Sequence, residues 1–123
     1  MKKTILIVGA SANLTKYGHI ILDTLHKRGF NAVPINQREN EILGVKAYPS
    51  ISDFVKANPK NKIDWVDFVV PPEVVQEVLF EVKKLKLKNV WLQPGSESNT
   101  AIEFCKDNGI ACMHHKCIMN EYK

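Results

Sequence analysis

The chain of 123 residues is 45% hydrophobic and 24% charged, a composition typical of one ordinary globular domain. A domain of this length buries enough surface to fold without a disulfide or a metal, which excludes a stapled mini-protein scaffold. Seventeen basic residues against thirteen acidic ones give a net charge of +4, which favours an anionic ligand without identifying it.

A lysine-rich stretch, Lys83, Lys84, Lys86 and Lys88, ends a pattern typical of an amphipathic helix. It has no interleaved aromatic residues, so we interpret it as a solvated helix face and predict no nucleic-acid partner. The apolar run over residues 4–8 is too short for a signal peptide, and no other stretch is long enough to cross a bilayer. We therefore expect no membrane association.

The three cysteines are Cys105, Cys112 and Cys117, and no two of them form a CxxC pair. An odd number without that spacing argues against a disulfide framework and favours a reducing compartment. Cys105 and Cys112 are expected to be small core residues. The predicted location is the cytoplasm.

The first part of the chain predicts strands on either side of a helix. Residues 4–9 form a β-branched and aliphatic run that ends in glycine, which is typical of a buried strand. A helix over residues 17–28 follows, with Gly29 at the position where helices usually stop. Residues 31–36 predict the second strand, and residues 45–48 a short strand.

Serine caps and proline mark the helices of the second part. Ser50 or Ser52 is expected to cap a short helix that ends near Ala57. The remaining predicted elements, in chain order, are a strand at 65–70, a helix opening at Pro71-Pro72-Glu73, a strand at 89–92, a helix at 98–108 and a strand at 110–113.

Apolar strands that alternate with helices predict a single doubly wound α/β domain over residues 1–123. Its sheet is mainly parallel, with five to six strands and helices on both faces, in a Rossmann-like arrangement. Ligands of such sheets bind outside the carboxyl ends of the strands, where the strand order reverses. The segments expected to border this crevice are residues 9–18, 36–38, 70–72 and 93–95.

The turn Gly9-Ala10-Ser11 leads into a helix whose free N–H groups can bind an anion. The dinucleotide fingerprint GxGxxG is absent, because the next glycine is Gly18. A tight strand-to-helix turn without a ligand explains this segment equally well.

The segment Asn36-Gln37-Arg38 favours a ligand with a phosphorylated ribose. An NAD site carries Asp or Glu at the end of this strand, whereas an amide and a cation stand here. A guanidinium binds phosphate oxygens bidentately, which suits NADP or coenzyme A. The alternative is a surface arginine paired with Glu39 or Glu41.

The segment Val70-Pro71-Pro72 lacks two backbone donors and forms a rigid apolar lip suited to a base or an acyl-pantetheine arm. Helix initiation alone also explains it.

No set of residues forms a convincing catalytic or metal site. His114 and His115 lie close to Cys117 in sequence, but adjacent histidines in an extended segment are expected to point to opposite sides. A nucleophilic Cys117 would need a lowered pKa and an oriented base, which the sequence does not reveal.

The chain resembles, nearly end to end, the single-domain CoA-binding protein family of YccU-like proteins, which is related to the CoA-binding domain of the succinyl-CoA synthetase alpha subunit. The motifs that carry the resemblance are Val8-Gly9-Ala10-Ser11, Lys16-Tyr17-Gly18, Pro34-Ile35-Asn36, Glu41-Ile42-Leu43-Gly44, Ala47-Tyr48-Pro49-Ser50, Val70-Pro71-Pro72-Glu73, Val90-Trp91-Leu92-Gln93-Pro94-Gly95 and Cys117-Ile118-Met119-Asn120-Glu121.

The resemblance implies a binding site for coenzyme A or an acyl-CoA. Its phosphates would face Gly9, Ala10, Ser11 and Lys16, its ribose phosphate and adenine would lie near Asn36 and Arg38, and Val70, Pro71 and Pro72 would line the nucleotide and the start of the pantetheine arm. The same motifs put Tyr17, Gly18, Gln93 and Cys117 at the ligand. Cys117 near the crevice also suggests a mixed disulfide with the CoA thiol.

The resemblance implies a binding module and not a ligase, since the synthetases hold their catalytic residues, a phosphorylatable histidine among them, in additional domains. Neither His114 nor His115 can be assigned that role. The alternatives are an NADP-linked oxidoreductase or nucleotide-sensing subunit, and an α/β protein-interaction domain with a degenerate pocket. A homo-oligomer or a further protein partner stays open.

Overall fold

A five-stranded parallel sheet forms the centre of the computed structural model, which describes residues 2–122. Its strands are β1 (Thr4–Val8), β2 (Asn31–Ile35), β5 (Trp65–Phe68), β6 (Asn89–Leu92) and β7 (Ala111–Met113); between β2 and β5 the short strands β3 (Glu41–Ile42) and β4 (Val45–Lys46) pair with each other. The order across the large sheet is β2-β1-β5-β6-β7. After the edge strand β2 the chain crosses back past β1 to form β5 on its other side, so the strand order reverses between β1 and β5.

Helices cover both faces of this sheet. They are α1 (Tyr17–Lys27), α2 (Ile51–Ala57), α3 (Pro72–Lys84), α4 (Asn99–Asp107) and α5 (Ile118–Glu121). Buried residues of α1 and α5 pack against one face, and buried residues of α2, α3 and α4 pack against the other. The predicted doubly wound α/β fold is confirmed.

The strand predicted over residues 45–48 divides into two parts. Leu43 and Gly44 have φ values of 55° and 75°, the conformation of a two-residue hairpin turn, so Val45 folds back onto Ile42. Tyr48 alone joins the large sheet, where it forms a parallel bridge with Ile35. If Tyr48 is counted as the third strand of the large sheet and β5, β6 and β7 as the fourth to sixth, the strand order becomes the Rossmann order 3-2-1-4-5-6.

Helix caps follow the sequence signals closely. Ser50 accepts a 3.1 Å hydrogen bond from the Asp53 N–H and caps α2, while Ser98 accepts one of 3.1 Å from the Ala101 N–H and caps α4. Pro72 is the first residue of α3, as its missing N–H favours. Of the two candidate caps for α2, Ser50 is therefore the correct one.

Helix α5 is an element that the sequence did not predict. It has four residues, too few for a helical pattern to be recognised. The Arg28 guanidinium holds it by donating to the carbonyl oxygens of Met119, at 2.5 Å, and Tyr122, at 2.8 Å. Tyr122 in turn accepts a 2.7 Å hydrogen bond from the Trp65 indole. Long-range contacts thus fix this segment.

None of the helices within residues 2–122 has the length and apolar character needed to span a bilayer.

Candidate ligand-binding cleft

A cleft of about 760 Å³ opens at the carboxyl ends of β1, β2 and β5, at the point where the strand order reverses. Nine of the predicted site residues line it: Gly9, Ala10, Ser11, Lys16, Tyr17, Gly18, Asn36, Arg38 and Val70. Four others, Pro71, Pro72, Gln93 and Cys117, lie outside the lining. The crevice expected from the fold is therefore present, and most of the predicted residues meet there.

Gly9 and Gly18 form the floor of the cleft by a close approach of two backbones. Gly9 has a φ of 103°, and a Cβ on it would lie 2.7 Å from a methyl group of Val70. A Cβ on Gly18 would overlap the carbonyl oxygen of Gly9. The two glycines thus serve the tight turn and the close helix–strand packing that GxGxxG provides in other sheets of this kind.

The N-terminus of α1 points into the cleft with unused donors. The backbone N–H groups of Tyr17 and Gly18 find no acceptor in the described part of the chain, and the N-cap residue Lys16 makes no side-chain cap. Asn13 fixes the preceding turn by accepting from the N–H and the hydroxyl of Thr15, at 3.0 and 2.8 Å. Free N–H groups, the helix dipole and the Lys16 ammonium together make an anion site.

Asn36 joins the loops that follow β1 and β2. Its Nδ2 donates to the carbonyl oxygen of Ala10 at 2.9 Å, and its Oδ1 accepts from the N–H groups of Arg38 and Glu39 at 2.7 and 2.9 Å. The side chain is therefore already occupied within the protein, and it positions the backbone that carries Arg38.

Arg38 and Lys16 are exposed cations with no ion-pair partner within residues 2–122. The alternative that Arg38 pairs with Glu39 or Glu41 is not observed there. Both charges are consequently free to meet an anionic ligand.

The opposite wall carries an apolar stripe. It is formed by Val74 and Val78 of α3 and by Val70, which precedes the N-cap residue of that helix. Ser96 holds Val70 in place from both sides, since its hydroxyl accepts from the Val70 N–H at 3.1 Å and donates to the Val70 carbonyl at 2.6 Å. Ile51 at the start of α2 adds to this apolar lining.

Two carboxylates on the same wall, Glu77 and Glu81, were not identified from the sequence. Within α3, Glu77 follows Val74 by three residues and Glu81 follows Val78 by three, so the carboxylates lie on the same side of the helix as these valines. Glu81 Oε2 accepts from the Ser52 hydroxyl at 2.6 Å and from the Ser52 N–H at 3.3 Å. Helical spacing from Val74 and Val78 was the sequence signal that could have revealed them.

Gln93, predicted at the ligand, does not line the cleft and is completely buried. Its Nε2 donates to Asp67 Oδ1 at 2.5 Å, and its Oε1 accepts from the N–H of Ile118 at 3.3 Å. Burial raises the pKa of Asp67 to about 8, although the Gln93 hydrogen bond lowers it. Gln93 therefore contacts the interior and links Asp67 to the start of α5.

Cys117 does not line the cleft but contacts a residue that does. The Tyr17 hydroxyl, whose residue lines the cleft, is 2.7 Å from the Cys117 sulfur. Burial and this contact raise the pKa of Tyr17 to about 12, so its hydroxyl keeps its proton at neutral pH. Cys105, Cys112 and Cys117 are all free thiols; Cys105 is buried in the core, as predicted, and Cys112 is half-buried against it.

The expectation that His114 and His115 point to opposite sides is wrong. His115 has a φ of 61°, so the segment is not extended, and the two Nδ1 atoms lie 2.6 Å apart. Neither histidine lines the cleft. Within the described residues, no group of three His, Cys, Asp or Glu side chains is arranged to hold a metal ion.

Comparison with known proteins identifies relatives across the whole chain. The sequence profile of a CoA-binding domain matches residues 3–123. The structure of a conserved hypothetical protein from Pyrococcus furiosus is similar with a TM-score of 0.88 and 40% identity, over 98% of this chain and 99% of that one.

Two curated relatives differ in length. An ADP-forming acetate–CoA ligase from Methanocaldococcus jannaschii is 36% identical over 86 residues, which cover 70% of this chain and 12% of the ligase. An uncharacterized protein from Bacillus subtilis is 26% identical over 116 residues, which cover 94% of this chain and 82% of that protein. The matched region spans only 12% to 18% of the first ligase relatives.

Proposed function

Since the chain belongs to the CoA-binding domain family, we propose that it binds coenzyme A or an acyl-CoA in the cleft and performs no turnover of its own. One observation carries the proposal: two separate cationic positions, Lys16 at the α1 N-terminus and Arg38 after β2, border a cleft whose other wall carries an apolar stripe. CoA has two separated phosphate groups, a flat base and a long arm, and this arrangement suits all of them.

The pyrophosphate is assigned to the N-terminus of α1. There the N–H groups of Tyr17 and Gly18 are free, Gly9 allows the backbone to approach closely, and Ser11 and Lys16 border the space. The ribose 3′-phosphate is assigned to Arg38, whose guanidinium can bind two phosphate oxygens. Asn36 supports that contact through its hydrogen bond to the Arg38 N–H.

The pantetheine arm is assigned to the path from the phosphates past Tyr17. Val70, with Pro71 and Pro72 after it, would border the nucleotide and the start of the arm. Cys117 would then lie near the thiol end, since its sulfur contacts the Tyr17 hydroxyl. This assignment places Cys117 near the CoA thiol, although Cys117 does not line the cleft.

The proposal of binding without turnover rests on the chemistry of the lining. Ser11 and Ser50 line the cleft, but within the described residues the lining includes no histidine to activate a serine and no cysteine. Free thiols also suit a reducing compartment, so we propose that the protein acts in the cytoplasm. A homo-oligomer or a protein partner that receives the ligand is compatible with this role.

Isothermal titration with CoA and with acetyl-CoA tests the proposal. We expect saturable binding of both at one molecule per chain, and acetyl-CoA recovered intact after prolonged incubation with the protein. Failure of both ligands to bind would contradict the binding role, and release of free CoA thiol above the rate without protein would contradict the absence of turnover.

The phosphorylated ribose of NADP also suits Arg38, so an NADP-linked function is the second candidate. Titration with NADP separates the two. Binding of NADP with no binding of CoA would favour this second candidate.

A further inference from the structure

The apolar part of the cleft lining has the chemistry of a site for a flat ring. Val74 and Val78 are one turn apart on α3, and Ile51 and Pro49 at the start of α2 also line the space. Aliphatic side chains from α3 and from the chain that leads into α2 suit the faces of a purine base, which has little polar surface except at its edge. Polar groups beside these side chains are then expected to meet the edge of the base.

Glu81 lines the same cleft and is held in place. The residue is half-buried, and its Oε2 accepts hydrogen bonds from both the hydroxyl and the N–H of Ser52. No group within residues 2–122 donates to Oε1. One oxygen thus anchors the carboxylate to α2, and the other remains available on the side chain that lines the cleft.

A carboxylate in the wall of a site for a phosphorylated ligand is unfavourable unless the ligand brings a donor to it. Like charges repel even at the effective dielectric of a protein surface, and CoA carries several negative charges. The two cations, Lys16 and Arg38, belong to the β1–β2 side of the cleft, whereas Glu81 belongs to α3. This separation orients a ligand with its phosphates toward the cations and a donor toward α3.

Purine bases differ in which groups on their edge donate hydrogen bonds and which accept them. At position 6, adenine presents an exocyclic amine, which donates, whereas hypoxanthine and guanine present the O6 carbonyl, which accepts. At N1 the roles are reversed, since adenine accepts there and the 6-oxo purines donate. A carboxylate fixed opposite position 6 accepts from the amine and repels the carbonyl. We propose that Glu81 Oε1 accepts a hydrogen bond from the adenine amine and selects adenine over 6-oxo purines. This inference rests on the proposed binding of CoA.

The test is titration calorimetry with CoA and with the CoA analogue whose adenine is replaced by hypoxanthine. The proteins are the wild type, Glu81→Gln and the control Glu103→Gln, which removes an exposed carboxylate of α4 outside the cleft. An amide whose oxygen stays on Ser52 turns its N–H group toward the base, so the Glu81→Gln protein should bind the hypoxanthine analogue at least as well as CoA. The new side chain also retains an acceptor for Ser52, which preserves the contact with α2.

We expect the wild type to bind CoA at least about tenfold more tightly than the analogue, as for loss of one hydrogen bond to a charged group. The ratio is expected to fall to about twofold or less in Glu81→Gln and to stay unchanged in Glu103→Gln. Equal wild-type affinities for the two ligands, or an unchanged ratio in Glu81→Gln, would overturn the inference and leave CoA binding intact. A wild type that binds neither ligand overturns the proposed function as well.

Discussion

The hydroxyl of Tyr17 lies 2.7 Å from the sulfur of Cys117, a residue 100 positions further along the chain. Tyr17 opens α1 and lines the cleft, whereas Cys117 precedes α5. The contact therefore connects the start of the first crossover helix to the C-terminal segment, and it brings a thiol to the side of the cleft assigned to the pantetheine arm.

This contact leads to a prediction about thiol exchange. A Cys117 thiolate that attacks CoA disulfide forms a Cys117–CoA mixed disulfide and releases one CoA thiolate, so no further oxidant is needed. We expect intact-mass analysis without reductant to show one CoA adduct per chain, and none in Cys117→Ser. Cys105→Ser is the matched control, because that buried thiol should not react. An adduct that persists in Cys117→Ser would contradict the assignment.

Replacement of Arg38 by alanine is expected to weaken CoA binding by about tenfold or more, because a charge-assisted contact to the ribose phosphate is lost. Dephospho-CoA lacks that phosphate, so its affinity should change little. Titration of both ligands against both proteins measures the difference. Lys60→Ala, which removes an exposed charge outside the cleft lining, is the control; equal weakening of CoA and dephospho-CoA by Arg38→Ala would refute the contact.

Gly18→Ala is expected to destabilise the protein, although alanine normally stabilises a helix by about 0.5–1 kcal/mol relative to glycine. The added Cβ overlaps the Gly9 carbonyl oxygen, so α1 must move away from β1 at a cost of about 1–3 kcal/mol. Urea unfolding measures the free energy of unfolding. The control Thr100→Ala, at an exposed position near the start of α4, is expected to change the free energy of unfolding little. A Gly18→Ala protein as stable as the wild type would show that Gly18 does not pack tightly against the Gly9 carbonyl.

Stability is expected to fall as the pH rises from about 4 to about 8, because burial raises the pKa of Asp67 from 3.8 to about 8. In that range the native carboxyl keeps a proton that the unfolded chain has released, so the free energy of unfolding falls by up to about 1.4 kcal/mol per pH unit. The contribution of Asp67 is complete below pH 4 and lost above pH 8.

Urea unfolding of the wild type and Asp67→Asn at several pH values checks this dependence. Asparagine does not titrate and still offers an oxygen to the Gln93 Nε2, so the stability of the variant should depend less on pH. Parallel pH profiles for the two proteins would mean that Asp67 does not titrate in this range.

Local signals explain why the fold and the cationic side of the cleft could be predicted. Apolar runs define the strands of the large sheet, and Gly9 and Arg38 each follow a strand closely, so the fold rule alone brings them to one edge. Ser98 lies immediately before the helix that it caps. None of these predictions needed knowledge of a distant contact.

The remaining features depend on contacts between distant parts of the chain. Ser52 and Glu81 are 29 residues apart, and only the packing of α2 on α3 brings them together. Gln93 follows a strand directly, yet it turns inward because buried Asp67 and the Ile118 N–H need hydrogen-bond partners. The positive φ of His115 likewise has no sequence signal, because the residues around it read like those of an extended segment.

Thermal unfolding with a panel of ligands tests most directly the claim that this cleft binds CoA. CoA, acetyl-CoA, dephospho-CoA, NADP, NAD and ATP are compared at matched concentration and salt. A ligand at one hundred times its Kd adds about 2.7 kcal/mol, which raises the Tm of a domain of this size by several degrees. We predict a selective rise with CoA and acetyl-CoA; a rise with NADP alone, or no rise with any ligand, would contradict the claim.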